Sequence, residues 1–302
     1  MTYRFAEGSA SQAASFAPFA LLLAVGALLG LTANVVKMAA GIGWPPIAFL
    51  FWSALAAGFI LLAATIARGE APGLRRSDIA YYFVCGVLSI AAPNTLGFGA
   101  VAHVGASFIA LCFALPPLLT YGLALMFGME RLKATRASGV ACGLAGAAIL
   151  AAAKTSGGGD NSLWIIGALA SPIFISFGNI YRTMRWPSGA TALSLAPGML
   201  IFGSLLIAPG LFAFGIPFGP GRLAGAALWL LVSQTIVFAA TYALYFLLQK
   251  LAGPVYLSQI GSVAAVIGGA LAVLALGEPA GVSLFVSAGL ILAGVVLVNR
   301  GR

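Results

Sequence analysis

Residues 105–130 read GASFIALCFALPPLLTYGLALMFGME, and residues 253–278 read GPVYLSQIGSVAAVIGGALAVLALGE. The opening glycines, Gly105 and Gly253, are 148 residues apart, and the same interval separates Glu130 from Glu278. Each stretch is an apolar run that closes with a glycine and a glutamate, and each precedes another glycine-rich apolar run. The chain therefore contains the same unit twice.

The composition is that of an integral membrane protein. Hydrophobic residues make up 62% of the 302 positions, charged residues 7%, and the mean hydropathy is +1.08, whereas soluble domains contain about 25% charged residues. A helix that spans the hydrocarbon needs about 20 apolar residues. Such runs are predicted at 17–37, 46–67, 79–101, 105–127, 136–153, 163–184, 193–213, 224–248, 254–276 and 280–298. Together they leave no room for a separate soluble domain.

The two copies of the repeated unit are predicted to have opposite orientations in the bilayer. Glu130 follows the fourth predicted span and Glu278 follows the ninth, so five spans separate them, and an odd number reverses the direction. Inverted repeats are typical of transporters that alternate access to a site near the midplane. We predict an all-α integral membrane protein with ten transmembrane helices as two inverted five-helix repeats around a central cavity. The first repeat comprises residues 1–154, the linker 155–162, and the second repeat 163–302.

The net charge of +9 is distributed as in a membrane protein. If the N-terminus is cytoplasmic, 12 of the 15 basic residues are counted in cytoplasmic segments, among them Arg182 at the cytoplasmic end of the sixth span and Arg185 just after it. This bias follows the positive-inside rule and predicts a multi-pass protein of a bacterial-type cytoplasmic (inner) membrane with both termini cytoplasmic. Nucleic acid is not an expected partner, because the basic residues alternate by loop. The expected partners are a small-molecule substrate and membrane lipid, with the chain a monomer or weak homodimer.

The acidic residues are all placed in a tail, a loop or at a helix end: Glu7, Glu70, Asp78, Glu130, Asp160 and Glu278. Coupling to protons or sodium usually uses an intramembrane carboxylate or unwound backbone carbonyls, so this placement favours a uniporter or exchanger over a proton-driven pump. Glu130 and Glu278 each precede an apolar run and are interpreted as structural helix caps. The sequence offers no nucleophile–base pair and no metal-ligand set. We therefore expect no catalysis, no metal and no cofactor.

The pattern resembles the drug/metabolite transporter superfamily, and within it the ten-helix exporters of amino acids and other metabolites. The landmarks are Gly30, Asn34 and Lys37 in the first span, Pro46 opening the second, residues 100–105, Pro116–Pro117, residues 128–132, Tyr242 and Gly277–Glu278. Many relatives have an arginine near position 52, where this chain has Trp52. The resemblance implies two inverted halves around a cavity and export by alternating access. Its narrower branch is that of the aromatic amino-acid exporters.

Polar side chains inside a span are costly and indicate a partner or a function. Lys37 ends the first apolar run, three residues after Asn34, and is interpreted either as snorkelling to the interface or as a counter-charge for a substrate carboxylate. Asn94 follows Pro93 and could bind a carbonyl freed by the proline or contact substrate. Asn179 and Gln259 could equally bond between helices or bind substrate.

Aromatic and proline residues complete the predicted site. Tyr242 and Tyr245 share one helix face, and Tyr82, Phe98 and Phe174 could form aromatic walls, although packing or lipid contact is the alternative. His103, the only histidine, lies at a helix junction and is a candidate titrating group. Pro116 and Pro117 are candidate gating positions, with simple packing kinks as the alternative.

An aromatic cavity with a few amides suits an amphipathic solute. We predict a secondary transporter of small amphipathic solutes, with aromatic amino acids preferred, that works as an exporter or facilitator. A multidrug or lipophilic-cation exporter would use cation–π contacts, but it would lack an acidic counter-charge in the cavity. A non-transporting scaffold or lipid-sensing subunit is the alternative from a different class.

Overall fold

The computed structural model describes residues 7–128, 130–155, 161–221 and 225–300, where the regular secondary structure is helical. The helices are α1 Glu7–Gly41, α2 Pro46–Ala67, α3 Arg76–Val104, α4 Ala106–Met126, α5 Ala134–Thr155, α6 Ser162–Met184, α7 Ala192–Ala213, α8 Gly225–Leu257, α9 Ile260–Leu274 and α10 Val282–Arg300. In these ranges, eight helices are long and apolar enough to cross a membrane, and α9 and α10 are shorter apolar helices. These helices indicate a multi-pass membrane protein.

Helices occur at all ten predicted spans, but those at 254–276 and 280–298 correspond to the shorter apolar helices, and two boundaries differ. The predicted span 254–276 is divided, because residues 254–257 form the last turn of α8 and α9 begins at Ile260. The first helix continues beyond Lys37 to Gly41, so this lysine lies within the helix and not at its end. Of the predicted linker 155–162, residues 156–160 lie outside the described residues, as do the terminal residues 1–6 and 301–302.

The two repeated stretches begin and end with the same backbone geometry. Gly105 has φ 89° and ψ 158°, and Gly253 has φ 76° and ψ 178°. Side-chain-bearing residues rarely adopt such positive φ values, so glycine allows the chain to turn at both positions. At the far ends, the Glu130 N–H donates to the Ala124 carbonyl at 3.2 Å, and the Glu278 N–H donates to the Ala272 carbonyl at 3.0 Å.

Both stretches are also broken partway along. The helical ladder of α4 is interrupted at 113–115, immediately before Pro116 and Pro117, which lack the N–H that a continuous helix needs. In the second stretch the interruption falls at Ser258 and Gln259, between α8 and α9. Backbone polar groups freed by such breaks are tolerated at membrane depth only where protein or a cavity surrounds them.

The two breaks lie against each other in the centre of the bundle. A Cβ atom added at Gly261 would lie 1.6 Å from the Phe113 carbonyl oxygen, so only glycine permits this contact. Close backbone approach through small residues is how membrane helices associate. Similar contacts join α1 to α9 at Gly30 and α5 to α10 at Gly139, where an added Cβ would lie 2.9 Å and 2.6 Å from a facing carbonyl oxygen.

α3 contains a separate irregularity that proline causes. Residues 87–91 form a π-helical turn just before Pro93, whose ring and missing N–H disrupt the preceding turn. Asn94 repairs this region, because its Nδ2 donates to the carbonyls of Ser89 at 3.2 Å and Ile90 at 3.0 Å. Of the two interpretations of Asn94, the carbonyl-binding one is therefore observed.

We expect Gly261→Ala to destabilise the bundle by about 1–3 kcal/mol, the usual cost of overpacking, because the added methyl group overlaps the Phe113 carbonyl. The measurement is thermal unfolding of the detergent-solubilised protein. Gly269→Ala is the matched control, since a Cβ there meets nothing within 4 Å, and it should leave the melting temperature unchanged or slightly higher. Equal melting temperatures for the two variants would contradict the contact.

Candidate functional site

A small cavity lies where the break in α4 meets the break between α8 and α9. Its volume is about 50 Å³, which accommodates a few water molecules. The polar lining residues are Ser89, Asn94, Asn179, Thr241, Tyr242, Tyr245 and Ser258. The other lining residues are Leu29, Phe113, Pro116, Ile175, Ile260 and Gly261. The cavity lining therefore combines polar and apolar residues.

A buried arginine is hydrogen-bonded to three of the polar residues that line the cavity. Arg182 of α6 is completely inaccessible to solvent. Its Nε donates to Gln249 Oε1 at 2.8 Å, its Nη1 donates to the Ser89 hydroxyl, and its Nη2 donates to Asn179 Oδ1 at 2.6 Å and to the Tyr245 hydroxyl at 2.5 Å. The guanidinium carbon also lies 4.9 Å from the centre of the Tyr245 ring. Three helices, α3, α6 and α8, are joined through this one side chain.

The partners of Arg182 are all neutral. Asn179 also accepts a hydrogen bond from the Tyr245 hydroxyl at 2.7 Å, and Gln249 Nε2 donates to the Asn179 carbonyl at 3.3 Å. The ion pairs among the described residues are Lys37–Glu278 and Arg136–Glu130, so no carboxylate there neutralises Arg182. An arginine does not lose its proton in proteins, and the cluster therefore carries a permanent positive charge.

This position corrects the sequence interpretation, which counted Arg182 among the residues of a cytoplasmic segment. α6 continues to Met184, and the neutral cluster supplies the hydrogen bonds that allow the charge to be buried. One signal was available in the sequence. Asn179 and Arg182 are three residues apart, which places them on the same helix face.

The cavity brings together four of the predicted substrate-binding residues, Asn94, Asn179, Tyr242 and Tyr245. Asn94 and Asn179 come from different helices and face the same space as the two tyrosines of α8, whose ring centres are 5.9 Å apart. Of the predicted gating prolines, Pro116 also lines the cavity, and Pro117 is buried beside it. These residues form the candidate site.

The remaining predicted aromatic residues lie elsewhere. Tyr82 is buried against Gly198 of α7 and lines a separate polar pocket. Phe98 packs on Phe238, with the ring centres 6.3 Å apart. Phe174 lines an apolar groove on another side of the bundle. The structure therefore gives these rings packing contacts outside the cavity lining.

Three of the other predicted residues also have roles outside the cavity lining. Asn34 Nδ2 donates to the Gly268 carbonyl at 3.0 Å and thereby joins α1 to α9. Gln259 lies at the break before α9, beside the cavity-lining Ser258. His103 is exposed at the end of α3, where its ring stacks on Trp164 at 4.2 Å.

Lys37 of α1 forms an ion pair with Glu278 in the loop after α9. Its Nζ lies 2.5 Å from Glu278 Oε1. Glu278 also accepts hydrogen bonds from the backbone N–H groups of Ala106 at 2.6 Å and Ser107 at 3.0 Å, and from the Ser107 hydroxyl. Glu278 is therefore a helix cap, but of α4 and not of the helix that follows it. The reason is geometric, because the N-terminus of α4 lies closer to the carboxylate.

The environment of Glu278 keeps it ionised. Burial raises the pKa of this carboxyl, but the hydrogen bonds from Lys37, from the Ser107 side chain and from the two backbone N–H groups outweigh that effect and lower the pKa to about 2. This carboxyl is therefore ionised throughout the physiological pH range.

Glu130 has a different partner from its repeat counterpart. Its Oε2 accepts a hydrogen bond from Arg136 Nη1 at 2.8 Å, and the Arg136 guanidinium lies 5.0 Å from the centre of the Tyr121 ring. Among the described hydrogen bonds, Glu130 therefore does not cap the backbone of the following helix, α5. It forms an ion pair with a side chain in the first turn of that helix. The two glutamates of the repeat are equivalent in sequence and different in contacts.

Comparison with known proteins gives a family similarity for the first half of the chain. The model of the EamA-like transporter family matches residues 17–152, which supports the resemblance to the drug/metabolite transporter superfamily and points to a membrane transporter of small solutes. A crystal structure of another protein, 21% identical, superposes with a TM-score of 0.64 over 96% of this chain and 99% of that chain. At this identity the likeness shows the fold alone. No curated protein matches the sequence.

We expect Glu278→Gln to lower the melting temperature of the solubilised protein at neutral pH, because the ion pair and one acceptor oxygen are lost. A carboxyl with a lowered pKa stabilises the folded state above its unfolded pKa of about 4.5 and loses that contribution as the pH falls towards about 2. The difference between wild type and Glu278→Gln should therefore be constant from pH 5 to 8 and shrink below pH 4.5.

The control is Glu70→Gln, because Glu70 accepts a hydrogen bond from the Thr191 hydroxyl that a glutamine oxygen can also accept. It should lower the melting temperature less than Glu278→Gln. A wild-type advantage over Glu278→Gln that changes between pH 5 and 8 would show that this carboxyl titrates near neutrality.

Proposed function

We propose that the protein is a secondary transporter that moves small amphipathic solutes across the cytoplasmic membrane by alternating access. Amino acids, with aromatic ones preferred, are the proposed solutes, and export or facilitated diffusion is the proposed direction. The observation that carries the proposal is the cavity with mixed polar and apolar lining residues at the contact between the two broken helices. Transporters commonly bind their solutes near the midplane where discontinuous helices meet.

The lining of the cavity supports an amphipathic solute. Buried hydroxyl and amide groups are costly in an apolar bundle unless they are bonded, yet several of them converge here. Thr241 Oγ1 is buried and has no hydrogen-bond partner among the described residues. Tyr242 and Tyr245 provide aromatic surface next to these groups. A solute with one polar end and one aromatic end would form hydrogen bonds with the polar groups and pack on the tyrosine rings.

The repeated stretches support an inverted arrangement of the two halves. The positive-φ glycine and the closing backbone hydrogen bond recur at the 148-residue interval, and each stretch is broken between them, at 113–115 and at 258–259. Because five predicted spans separate the two closing glutamates, equal local structure implies opposite directions across the bilayer. We therefore propose that the two halves rock about the cavity.

The different contacts of Glu130 and Glu278 fit one state of such a cycle. Glu278 holds the start of the first stretch, at Ala106, whereas Glu130 pairs with Arg136 and not with the start of the second stretch. The cavity of about 50 Å³ is too small for an amino acid. The described conformation is thus a closed one, and the release of the Lys37–Glu278 pair would be a step in opening.

The alternative of a lipophilic-cation exporter gains no support from the site. Arg182 places a fixed positive charge next to the cavity, and a cationic solute would be repelled by it at short range. Tyrosine rings in the lining could attract a cation, but the Tyr245 ring is already in contact with the Arg182 guanidinium. A neutral or carboxylate-bearing solute fits better.

The proposal predicts counterflow of aromatic amino acids. Purified protein in liposomes loaded with phenylalanine or tryptophan should accumulate the labelled amino acid above empty liposomes, and threonine should exchange more slowly. Tyr242→Ala should reduce phenylalanine exchange by about tenfold, because the phenylalanine ring loses its contact with the Tyr242 ring. Trp229→Ala is the control, since this side chain is 75% exposed and should have no effect.

Absence of exchange for every amino acid tested would overturn the transporter proposal and favour a scaffold or lipid-sensing role. Equal exchange of phenylalanine, tryptophan and threonine would leave the transporter and remove the aromatic preference.

A further inference from the structure

We propose that Arg182 is the anion-recognition group of the cavity, and that the solute must carry a carboxylate but needs no ammonium group. This inference rests on the proposed function, because it assigns the chemistry of the same cavity. It goes further, because it predicts that simple aromatic monocarboxylates bind as well as aromatic amino acids do.

The first argument is the uncompensated charge. Arg182 is fully buried and is bonded to neutral groups, and the ion pairs of the described residues involve other side chains. Ionisable residues within membrane helices are rare and mark substrate pathways or pair with one another. A buried cation bonded only to neutral oxygens lacks the counter-charge that a bound carboxylate would supply.

The second argument is the position of the guanidinium relative to the cavity. Ser89, Asn179 and Tyr245 each line the cavity and each accept a hydrogen bond from Arg182. A single layer of side chains therefore separates the charge from the solute space. A rotation of the Ser89 hydroxyl would let a carboxylate oxygen take its place on Nη1.

The third argument is the donor geometry. A guanidinium offers five N–H donors in a planar fork, and the described residues accept four hydrogen bonds from Arg182. One N–H donor therefore remains for a solute. Arginine often binds the two oxygens of a carboxylate through two parallel hydrogen bonds. Replacing one neutral acceptor would allow such a pair.

The rest of the lining defines the other end of the solute. Leu29, Phe113, Ile175 and Ile260 provide apolar surface, which suits a hydrocarbon or aromatic body. The polar groups away from Arg182 include Asn94, Thr241 and Ser258, and none of the lining residues is acidic. An ammonium group would find no counter-charge there, so it contributes little to binding.

The experiment uses two probes of nearly equal shape, 3-phenylpropanoate and its neutral amide, 3-phenylpropanamide. Binding is measured as the increase in melting temperature of the full-length solubilised protein over a concentration series. We expect 3-phenylpropanoate to act at a concentration similar to that for phenylalanine, and the amide to require at least about tenfold more. Phenethylamine, which lacks the carboxylate, should also bind at least about tenfold more weakly.

Variants of Arg182 assign the effect to this side chain. Arg182→Gln should weaken 3-phenylpropanoate by at least about tenfold and leave the weak binding of the amide unchanged. Arg182→Lys keeps the positive charge but lacks the planar set of N–H donors, so it should retain part of the preference for 3-phenylpropanoate over the amide. This variant also provides a measurement if Arg182→Gln does not fold. Arg185→Gln is the matched control, because Arg185 is exposed one turn further along the chain, and it should bind like wild type.

The outcomes separate this inference from the proposed function. Equal binding of the acid and the amide to wild type, or an equal loss of both in Arg182→Gln, would overturn the anion-recognition role. Binding that follows the predicted pattern together with no counterflow in liposomes would keep Arg182 as an anion site and overturn the transporter proposal. Counterflow of phenylalanine that Arg182→Gln leaves intact would keep the transporter and overturn the role of Arg182.

Discussion

The structure depends on one constraint: in hydrocarbon, a polar group must find its hydrogen-bond partner within the protein. This is why the described chain is helical wherever it crosses the bundle. It also decides where the helices can break. The break before Pro116 and the break at Ser258 are buried against each other at the contact of Gly261 with Phe113, and the π-helical turn before Pro93 is repaired by the Asn94 amide.

The same constraint explains why two buried charged residues, Glu278 and Arg182, have different kinds of hydrogen-bond partner. Glu278 accepts hydrogen bonds from Lys37, from Ser107 and from the start of α4, so it remains ionised and joins α1 and α4 to the loop after α9. Arg182 is provided with neutral acceptors only, so its charge remains uncompensated next to the cavity. One charge is paired within the described residues, and the other is hydrogen-bonded to neutral groups alone.

Much of the fold was accessible from the sequence, because apolar length and glycine position act locally. The 148-residue repeat predicted that Gly105 and Gly253 would play equal parts, and both adopt positive φ. Two of the polar residues within the predicted spans, Asn94 and Asn179, do line the cavity. These residues were identifiable because a polar side chain far from a span end has no alternative environment.

The remainder of the site required long-range contacts that no local pattern contains. Lys37 and Glu278 are 241 residues apart, and nothing in the sequence shows that this carboxylate reaches the start of α4. Arg182 was counted in a cytoplasmic segment because counting charges treats every arginine near a span end as solvated. Its burial depends on Gln249 and Tyr245, which come from α8 and are brought to α6 only by the folded bundle.

The most direct measurement of the central claim concerns the orientation of the two repeated stretches. Single cysteines at Lys133 and Pro279, both exposed in the loops after α4 and α9, are introduced into a chain whose Cys85, Cys112 and Cys142 are replaced by alanine. A membrane-impermeant maleimide is then added to intact spheroplasts and to inverted vesicles. The inverted arrangement predicts that the cysteine at 279 reacts in spheroplasts and that the cysteine at 133 reacts in inverted vesicles. Reaction of both cysteines from the same side would contradict it.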